Sequence, residues 1–155
     1  MTTHQTPAAT TTDPLAAAIA ARLPELRLLT DALDREGYRD DETPYLHAGL
    51  PRAVVFPTTT ADVVEIVRIA SEMRVPIVPR GAGTGLSGGA AGIEGGLTVV
   101  FTAMDRIIEI DRENLVAVVQ PGIINAKLKA AVAPEGLFYA PDPDGFEMCS
   151  IGGNL

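Results

Sequence analysis

Half of the sixteen residues from Gly81 to Gly96 are glycine, and this stretch constrains the fold of the chain more than any other. Glycine loses more backbone freedom on folding than any other residue, so an ordered run of glycines has a high entropic cost. Short apolar segments precede and follow the stretch, at residues 75–79 and 97–101. The pattern predicts a strand, a glycine-rich loop and a second strand.

Two familiar phosphate-binding motifs do not fit this stretch. A Walker-type loop needs Lys and then Ser or Thr after its last glycine, but Gly89 and Ala90 stand at those positions. Residues 83–88 have the G-x-G-x-x-G spacing of a Rossmann motif, which works only where it opens a helix. The sequence that follows, GAAGIEGG, is a poor helix former, and we therefore expect no helix there.

Two interpretations of the loop remain open on the residues alone. It is either a flexible loop or hairpin without a ligand, or a cradle in which successive backbone N–H groups turn toward one pyrophosphate. Arg80, Thr84 and Ser87 are interleaved with the glycines and favour the cradle, since their side chains donate hydrogen bonds.

The segments before the loop predict a β-α-β unit. Residues 53–56 form a short apolar strand, and a helix follows with Thr59 or Thr60 as its N-cap and Asp62 in its first turn. Its predicted apolar stripe consists of Val63, Ile66, Val67 and Ala70. The strand at 75–79 then lies parallel to the first one, through a right-handed crossover.

The remaining segments give less specific predictions. Residues 14–36 have leucines at helical spacing and predict two short helices separated near Pro24, with Gly37 as the terminating residue. Three apolar segments at 97–101, 107–110 and 115–122 predict antiparallel strands, because few residues separate them. Residues 124–136 predict a helix that Pro134 and Gly136 end.

Composition excludes several classes of protein. With 155 residues, of which 46% are hydrophobic, the chain has the size of one domain with a packed core. Its net charge of −8 argues against the basic face of a nucleic-acid binder. The single cysteine, Cys149, excludes an intrachain disulfide and fits a cytoplasmic setting. No apolar run reaches the length of a transmembrane segment.

Three segments together point to a known family. The phosphate-loop segment PRGAGTGLSGG, the β-α-β segment before it, and AVVQPG with the terminal APDPDGFEMCSIGGNL resemble the FAD-linked oxidases whose flavin domain is that of vanillyl-alcohol oxidase and p-cresol methylhydroxylase. The subgroup most similar in these motifs contains a subunit of glycolate oxidase, cytochrome-type D-lactate dehydrogenase and D-2-hydroxyglutarate dehydrogenase. The resemblance runs from about Pro51 to Leu155.

The resemblance implies an α+β fold with a PCMH-type FAD-binding domain, in which a β-α-β unit precedes short antiparallel strands. It divides the chain into a disordered tail at 1–13, N-terminal helices and a loop at 14–50, and a partial FAD-binding domain at 51–155. We expect this domain to be truncated, since sequences of the family continue well past SIGGN.

The resemblance also implies a cofactor and its contacts. FAD would lie with its pyrophosphate on the phosphate loop and its ribityl chain and isoalloxazine ring along the second segment. Some members attach the flavin covalently through a histidine of this loop, whereas Thr84 stands at the matching position here, so we expect noncovalent FAD. The residues assigned to the cofactor are Arg80, Gly81, Ala82, Gly83, Thr84, Gly85, Leu86, Ser87, Pro141, Asp142, Cys149, Ser150, Gly152, Gly153 and Asn154.

The activity that the resemblance implies is oxidation of a small D-2-hydroxy acid, such as glycolate, D-lactate or D-2-hydroxyglutarate. Hydride would pass from the substrate to FAD, and electrons would pass on to an acceptor, for which a partner protein is one candidate. The substrate-activating and metal-binding residues of the family belong to its later part, and none is assigned here. The alternatives are a non-catalytic fragment or FAD-binding module that needs a partner chain and, less favoured, a flavin reductase of cell-wall precursor synthesis.

Overall fold

The computed structural model describes residues 13–155, so the predicted tail lies outside the described residues except for Asp13. The fold is mixed α and β, as expected. Its first half contains α1 (Pro14–Arg22), β1 (Arg27–Leu29), α2 (Ala32–Glu36), β2 (Ala53–Phe56), α3 (Thr60–Glu72) and β3 (Ile77–Arg80). Its second half contains β4 (Leu97–Val100), β5 (Ile107–Asp111), β6 (Val116–Val119) and α4 (Asn125–Val132).

The main sheet has the strand order β1-β2-β4-β3. Strand β4 runs parallel to both β2 and β3, and β1 pairs antiparallel with β2. Helices α1 and α3 contribute to the core on this sheet, where fully buried Leu15, Ile19 and Ile66 pack with Val55 and Leu97. Because β3 and β4 pair in parallel, both end at the same edge of the sheet, where the glycine-rich loop begins.

Strand β4 corrects one prediction. We expected residues 97–101 to pair antiparallel with the two segments after them, but β4 lies between β2 and β3 as a parallel strand. All four of its residues are buried. A short apolar run without alternation is typical of a central strand of a parallel sheet, which is covered on both faces. Strands β2 and β3 are parallel to each other, as predicted, although they are not neighbours.

The segment before the sheet corrects another prediction. Residues 27–29 form β1 rather than part of a second helix, and Leu28 lies opposite Val55 in β2. Pairing with an existing strand overrides the helical spacing of the leucines, because the ladder satisfies backbone groups that a short isolated helix leaves open. Helix α2 begins only at Ala32, and Gly37 ends it in a right-handed conformation with φ −64°.

Helix α3 confirms its predicted start. Thr59 is the N-cap: its hydroxyl accepts a hydrogen bond from the Asp62 N–H, and the Asp62 carboxylate accepts from the Thr59 N–H, which completes a capping box. The buried side chains are Ile66, Ile69 and Ala70. Val67, which we placed on the buried stripe, is 47% exposed.

The second half forms a smaller layer beside the sheet. Strands β5 and β6 pair antiparallel, as predicted. Helix α4 buries Leu128 and Val132 against this hairpin, and one further turn leads to Gly136, whose φ of +74° ends the helix in a left-handed conformation. Within the described range, no helix has the length and apolar character that crossing a bilayer requires.

Candidate functional site

A cleft of about 710 Å³ opens where β3 and β4 end. This is where ligands bind in open sheets with parallel strands, outside the carboxyl ends of those strands. The volume is within the range of small-molecule sites. Most of residues 79–90 line one wall, residues 143–145 and most of 149–154 line the other, and Phe101 and Pro121 also contribute.

Within the glycine-rich loop (residues 81–96), residues 82–92 form two consecutive parts with different hydrogen bonding, which we call the open half and the held half. In the open half, residues 82–87, the backbone N–H groups donate to no acceptor among residues 13–155. In the held half, residues 88–92, the N–H groups of Gly88, Ala90, Ala91 and Gly92 all donate to oxygens of the protein. No helix follows the loop, as the sequence predicted. The open half therefore presents unsatisfied donors to the cleft that it lines.

The Arg80 side chain links two backbone segments of the site. Its Nη1 donates to the carbonyl oxygens of Asp40, at 2.8 Å, and Ala90, at 3.0 Å. A Cβ on Gly83 would lie 2.3 Å from the same guanidinium, so the loop backbone passes directly over it. Gly83 also has a φ of +80°, which favours glycine on conformational grounds. The positive charge of Arg80 thus lies next to the Gly83 backbone, in the cleft wall.

A segment that we predicted only as a loop forms hydrogen bonds with the held half. We call residues 38–50 the strap. Thr43 Oγ1 accepts from the Gly88 N–H at 2.7 Å, and the Arg39 carbonyl accepts from the Gly92 N–H at 2.6 Å. Within the strap, Asp41 Oδ1 accepts from the Thr43 N–H, and its Oδ2 accepts from the Ala90 N–H at 3.3 Å.

Asp41 remains charged in this network. Partial burial by itself raises the pKa of the Asp41 carboxyl, but hydrogen bonds from Thr43 and from the Ala90 N–H outweigh it, with the positive charge of Arg80 adding to them. The net result is a pKa below the ordinary value of an aspartate. The carboxylate is therefore available as an acceptor at neutral pH.

The second wall meets the first at Gly81. A Cβ on Gly81 would lie 2.0 Å from Ser150 Oγ, so the two glycine-containing segments touch only because Gly81 has no side chain. Gly152 is held in the same way against Pro121, to whose carbonyl its N–H donates at 2.9 Å. Cys149 is buried, and its Sγ accepts from Asn154 Nδ2 at 3.4 Å.

The structure brings most of the predicted site residues together in this cleft, but not all. The exceptions are Pro141 and Asp142. The Pro141 carbonyl accepts from the buried Asn125 side chain at 3.2 Å, and Asp142 forms an ion pair with Lys129. Residues 143–145 line the cleft in their place. No sequence pattern distinguished residues 143–145 from the two residues before them. No pattern indicated that the strap would contact the loop.

Comparison with known proteins agrees with this geometry. A family model described as FAD binding domain matches residues 51–155. The glycolate oxidase subunit GlcD of Bacillus subtilis (strain 168) is 49% identical over 118 residues, which are 76% of this chain and 25% of that protein. A D-lactate dehydrogenase of Anaerostipes hadrus is 35% identical over 85% of this chain and 27% of its own length.

A solved structure of p-cresol methylhydroxylase with substrate bound matches 82% of this chain and 26% of its own, at a TM-score of 0.68 and 26% identity. The chain thus spans about a quarter of the length of the proteins it matches. The family model covers more than half of the chain, and its match begins just before β2 and includes both walls of the cleft. This protein therefore belongs to the FAD binding domain family.

Proposed function

We propose that the cleft binds FAD noncovalently, with the pyrophosphate on the backbone of residues 80–87 and the ribityl chain and ring system along Cys149, Ser150 and residues 152–154. The observation that carries the proposal is the row of free N–H groups in the open half. Successive unpaired N–H groups in a segment that contains glycine and small side chains suit a dianionic group that must approach closely. Backbone donors of this kind can bind an anion without a cluster of basic side chains.

The residues present fit this cofactor in three respects. The walls are rich in glycine, the volume of about 710 Å³ suits a large ligand, and the Thr84 and Ser87 hydroxyls lie in the same wall as the free N–H groups. None of the described residues that line the cleft is a histidine, which supports noncovalent binding. The contacts of Pro141 and Asp142 with FAD stay a prediction. Because both residues lie outside the cleft, residues 143–145 are better placed to contact the cofactor.

The activity we propose is that of a flavin-dependent dehydrogenase or oxidase of a D-2-hydroxy acid, such as glycolate, D-lactate or D-2-hydroxyglutarate. When bound, FAD supplies the electron-accepting ring, and the substrate loses a hydride and a proton to become a 2-oxo acid. The residues of this chain bind and orient the cofactor. The relatives named above support this proposal, as does the subgroup that the motifs resemble, and a partner protein is proposed as the next electron acceptor.

Gly85→Val tests the cradle. A Cβ on Gly85 would meet only Asp41 Oδ2, at 3.8 Å, so the variant folds but places methyl groups beside the free N–H groups. We expect an affinity for FAD at least tenfold weaker, which titration of the chain with FAD measures. Gly37→Val is the matched control, because a Cβ there also meets one oxygen at 3.8 Å but lies outside the cleft. Equal FAD affinity in both variants would show that the open half is not the cradle.

A separate experiment addresses the substrate. FAD-loaded protein is mixed without oxygen with glycolate, D-lactate, D-2-hydroxyglutarate or L-lactate, and the flavin absorbance is followed. Bleaching by one of the first three and not by L-lactate supports the proposed substrate class. Bleaching by L-lactate alone contradicts it.

A further inference from the structure

We propose that Thr43 and Asp41 of the strap are positioning residues for the cofactor: they hold residues 88–92 so that the N–H groups of residues 82–87 stay free and aligned. This inference rests on the proposed function, because it concerns the same FAD site. Neither residue lines the cleft, and both act through the loop. The strap lies before the matched family segment, which begins at residue 51.

The first step is the assignment of donors. Three of the four N–H groups that are satisfied in the held half are satisfied by the strap: those of Gly88, Ala90 and Gly92. A loop of this composition has many accessible conformations, and an alternative bond from the open half to a strap oxygen would consume a donor that the pyrophosphate needs. Three strap oxygens, Thr43 Oγ1, Asp41 Oδ2 and the Arg39 carbonyl, accept from the held half, and no strap oxygen accepts from the N–H groups of the open half.

The second step is the burial and reach of Thr43. Thr43 is 8% exposed, and its hydroxyl oxygen accepts from the Gly88 N–H at 2.7 Å. Gly88 itself has a φ of +76° and passes so close to Leu46 that a Cβ would lie 2.7 Å from the leucine Cδ2. The turn at Gly88, where the open half ends, is thus set by strap side chains.

The third step is the charge of Asp41. An anionic side chain near a pyrophosphate site disfavours the ligand, so its presence needs another explanation. Both carboxylate oxygens accept backbone N–H groups, from Thr43 and Ala90, and Arg80 lies close enough to offset the charge. Asp41 is therefore placed to hold the loop and not to contact the ligand.

The last step joins the strap to the sheet. The Arg80 guanidinium donates to the Asp40 carbonyl and lies 5.8 Å from the centre of the Tyr38 ring. Tyr38 in turn makes an edge-to-face contact with Phe56 of β2, with ring centres 5.5 Å apart. These contacts join the strap to the same sheet that carries the loop.

Thr43→Val and Thr43→Ser form the test pair in the 155-residue chain. Valine has the shape of threonine but no hydroxyl, whereas serine keeps the hydroxyl. We expect Thr43→Val to weaken binding of FAD, and of ADP as a probe of the pyrophosphate end, by about tenfold, which is the scale of one lost hydrogen bond. Thr43→Ser should bind both within about twofold of the unchanged chain, since one hydrogen bond is retained.

Amide hydrogen exchange of the ligand-free chain gives a second readout. In Thr43→Val, exchange should accelerate in residues 88–92 and remain unchanged in β5 and β6. Unchanged exchange and unchanged FAD affinity in Thr43→Val would overturn the positioning role, as would equal losses in Thr43→Val and Thr43→Ser. If Thr43→Val does not fold, Asp41→Asn undergoes the same measurements. Absence of FAD binding in the unchanged chain overturns the proposed function instead, so the two failures are distinct.

Discussion

The two halves of the glycine-rich loop have similar composition and opposite structural roles. Residues 82–87 line the cleft and have free N–H groups, whereas every N–H group of residues 88–92 except that of Gly89 donates to the strap or to the loop itself. Gly85 in the first half leaves space beside the free N–H groups, whereas Gly92 in the second half leaves room for the strap backbone. A side chain added at Gly85 is therefore expected to weaken binding of FAD, whereas one added at Gly92 is expected to lower the stability of the fold.

The largest effect is expected from a substitution in the held half. In Gly92→Ala, the new Cβ would lie 2.5 Å from the Gly49 carbonyl oxygen and 3.2 Å from that of Arg39, and both are backbone atoms. We expect the free energy of unfolding to fall by about 3 kcal/mol, as overpacking does in a tight site. Urea denaturation measures this value.

Gly89→Ala is the control for that experiment. A Cβ on Gly89 would have no atom within 4 Å, so its stability should stay within about 0.5 kcal/mol of the unchanged chain. If Gly92→Ala were as stable as Gly89→Ala, the strap would not press on the loop, and the distinction between the two halves would fail.

A smaller effect is expected at Gly81, just before the open half. Gly81→Ala would bring a Cβ within 2.0 Å of Ser150 Oγ, which can rotate away only inside a buried site. We expect a loss of about 1 kcal/mol, the usual size for one point substitution. Combining it with Ser150→Ala should restore part of the loss, because the clashing oxygen is gone.

Thermal denaturation of the two single variants and the double variant gives the coupling between the walls. Simple additivity of the two losses would mean that Gly81 and Ser150 are not in contact. Such a result would place the second wall away from the open half and would remove it from the proposed cofactor site.

The smallest effect concerns pH and the held half. The pKa of Asp41 is lowered in the folded chain, so its stabilising contribution is complete above the unfolded-state pKa, about 4, and is lost as the pH falls through the lower folded-state value. The free energy of unfolding should therefore fall more between pH 5 and about pH 3 in the unchanged chain than in Asp41→Asn. Parallel pH profiles would show that Asp41 does not hold the loop as a carboxylate.

The sequence predicted the elements whose signals are local. The N-cap of α3 at Thr59 or Thr60, the hairpin of β5 and β6 and the end of α4 near Gly136 all depend on residues a few positions apart. The absence of a helix after the loop was equally predictable, because glycine lowers helix stability at every position. The family was predictable as well, since its motifs are contiguous segments.

The wrong predictions all depend on contacts between distant residues. Whether residues 27–29 form a strand depends on the edge that β2 offers, and whether β4 is central depends on β2 and β3 lying on both sides of it. Likewise, Ile69 rather than Val67 is buried, and this depends on which face of α3 packs against the sheet. Periodicity within one segment does not contain this information.

The sequence by itself determined that a glycine-rich loop lies between two strands and that its composition suits a pyrophosphate. Only the tertiary structure decided which part of that loop is available to a ligand. The glycines on both sides of Ser87 look alike in sequence, but the strap, whose Thr43 is 45 positions before Gly88, accepts hydrogen bonds from the second half and not from the first. The physical reason is that every backbone N–H carries the same donor, and only its partner in space determines whether it is free.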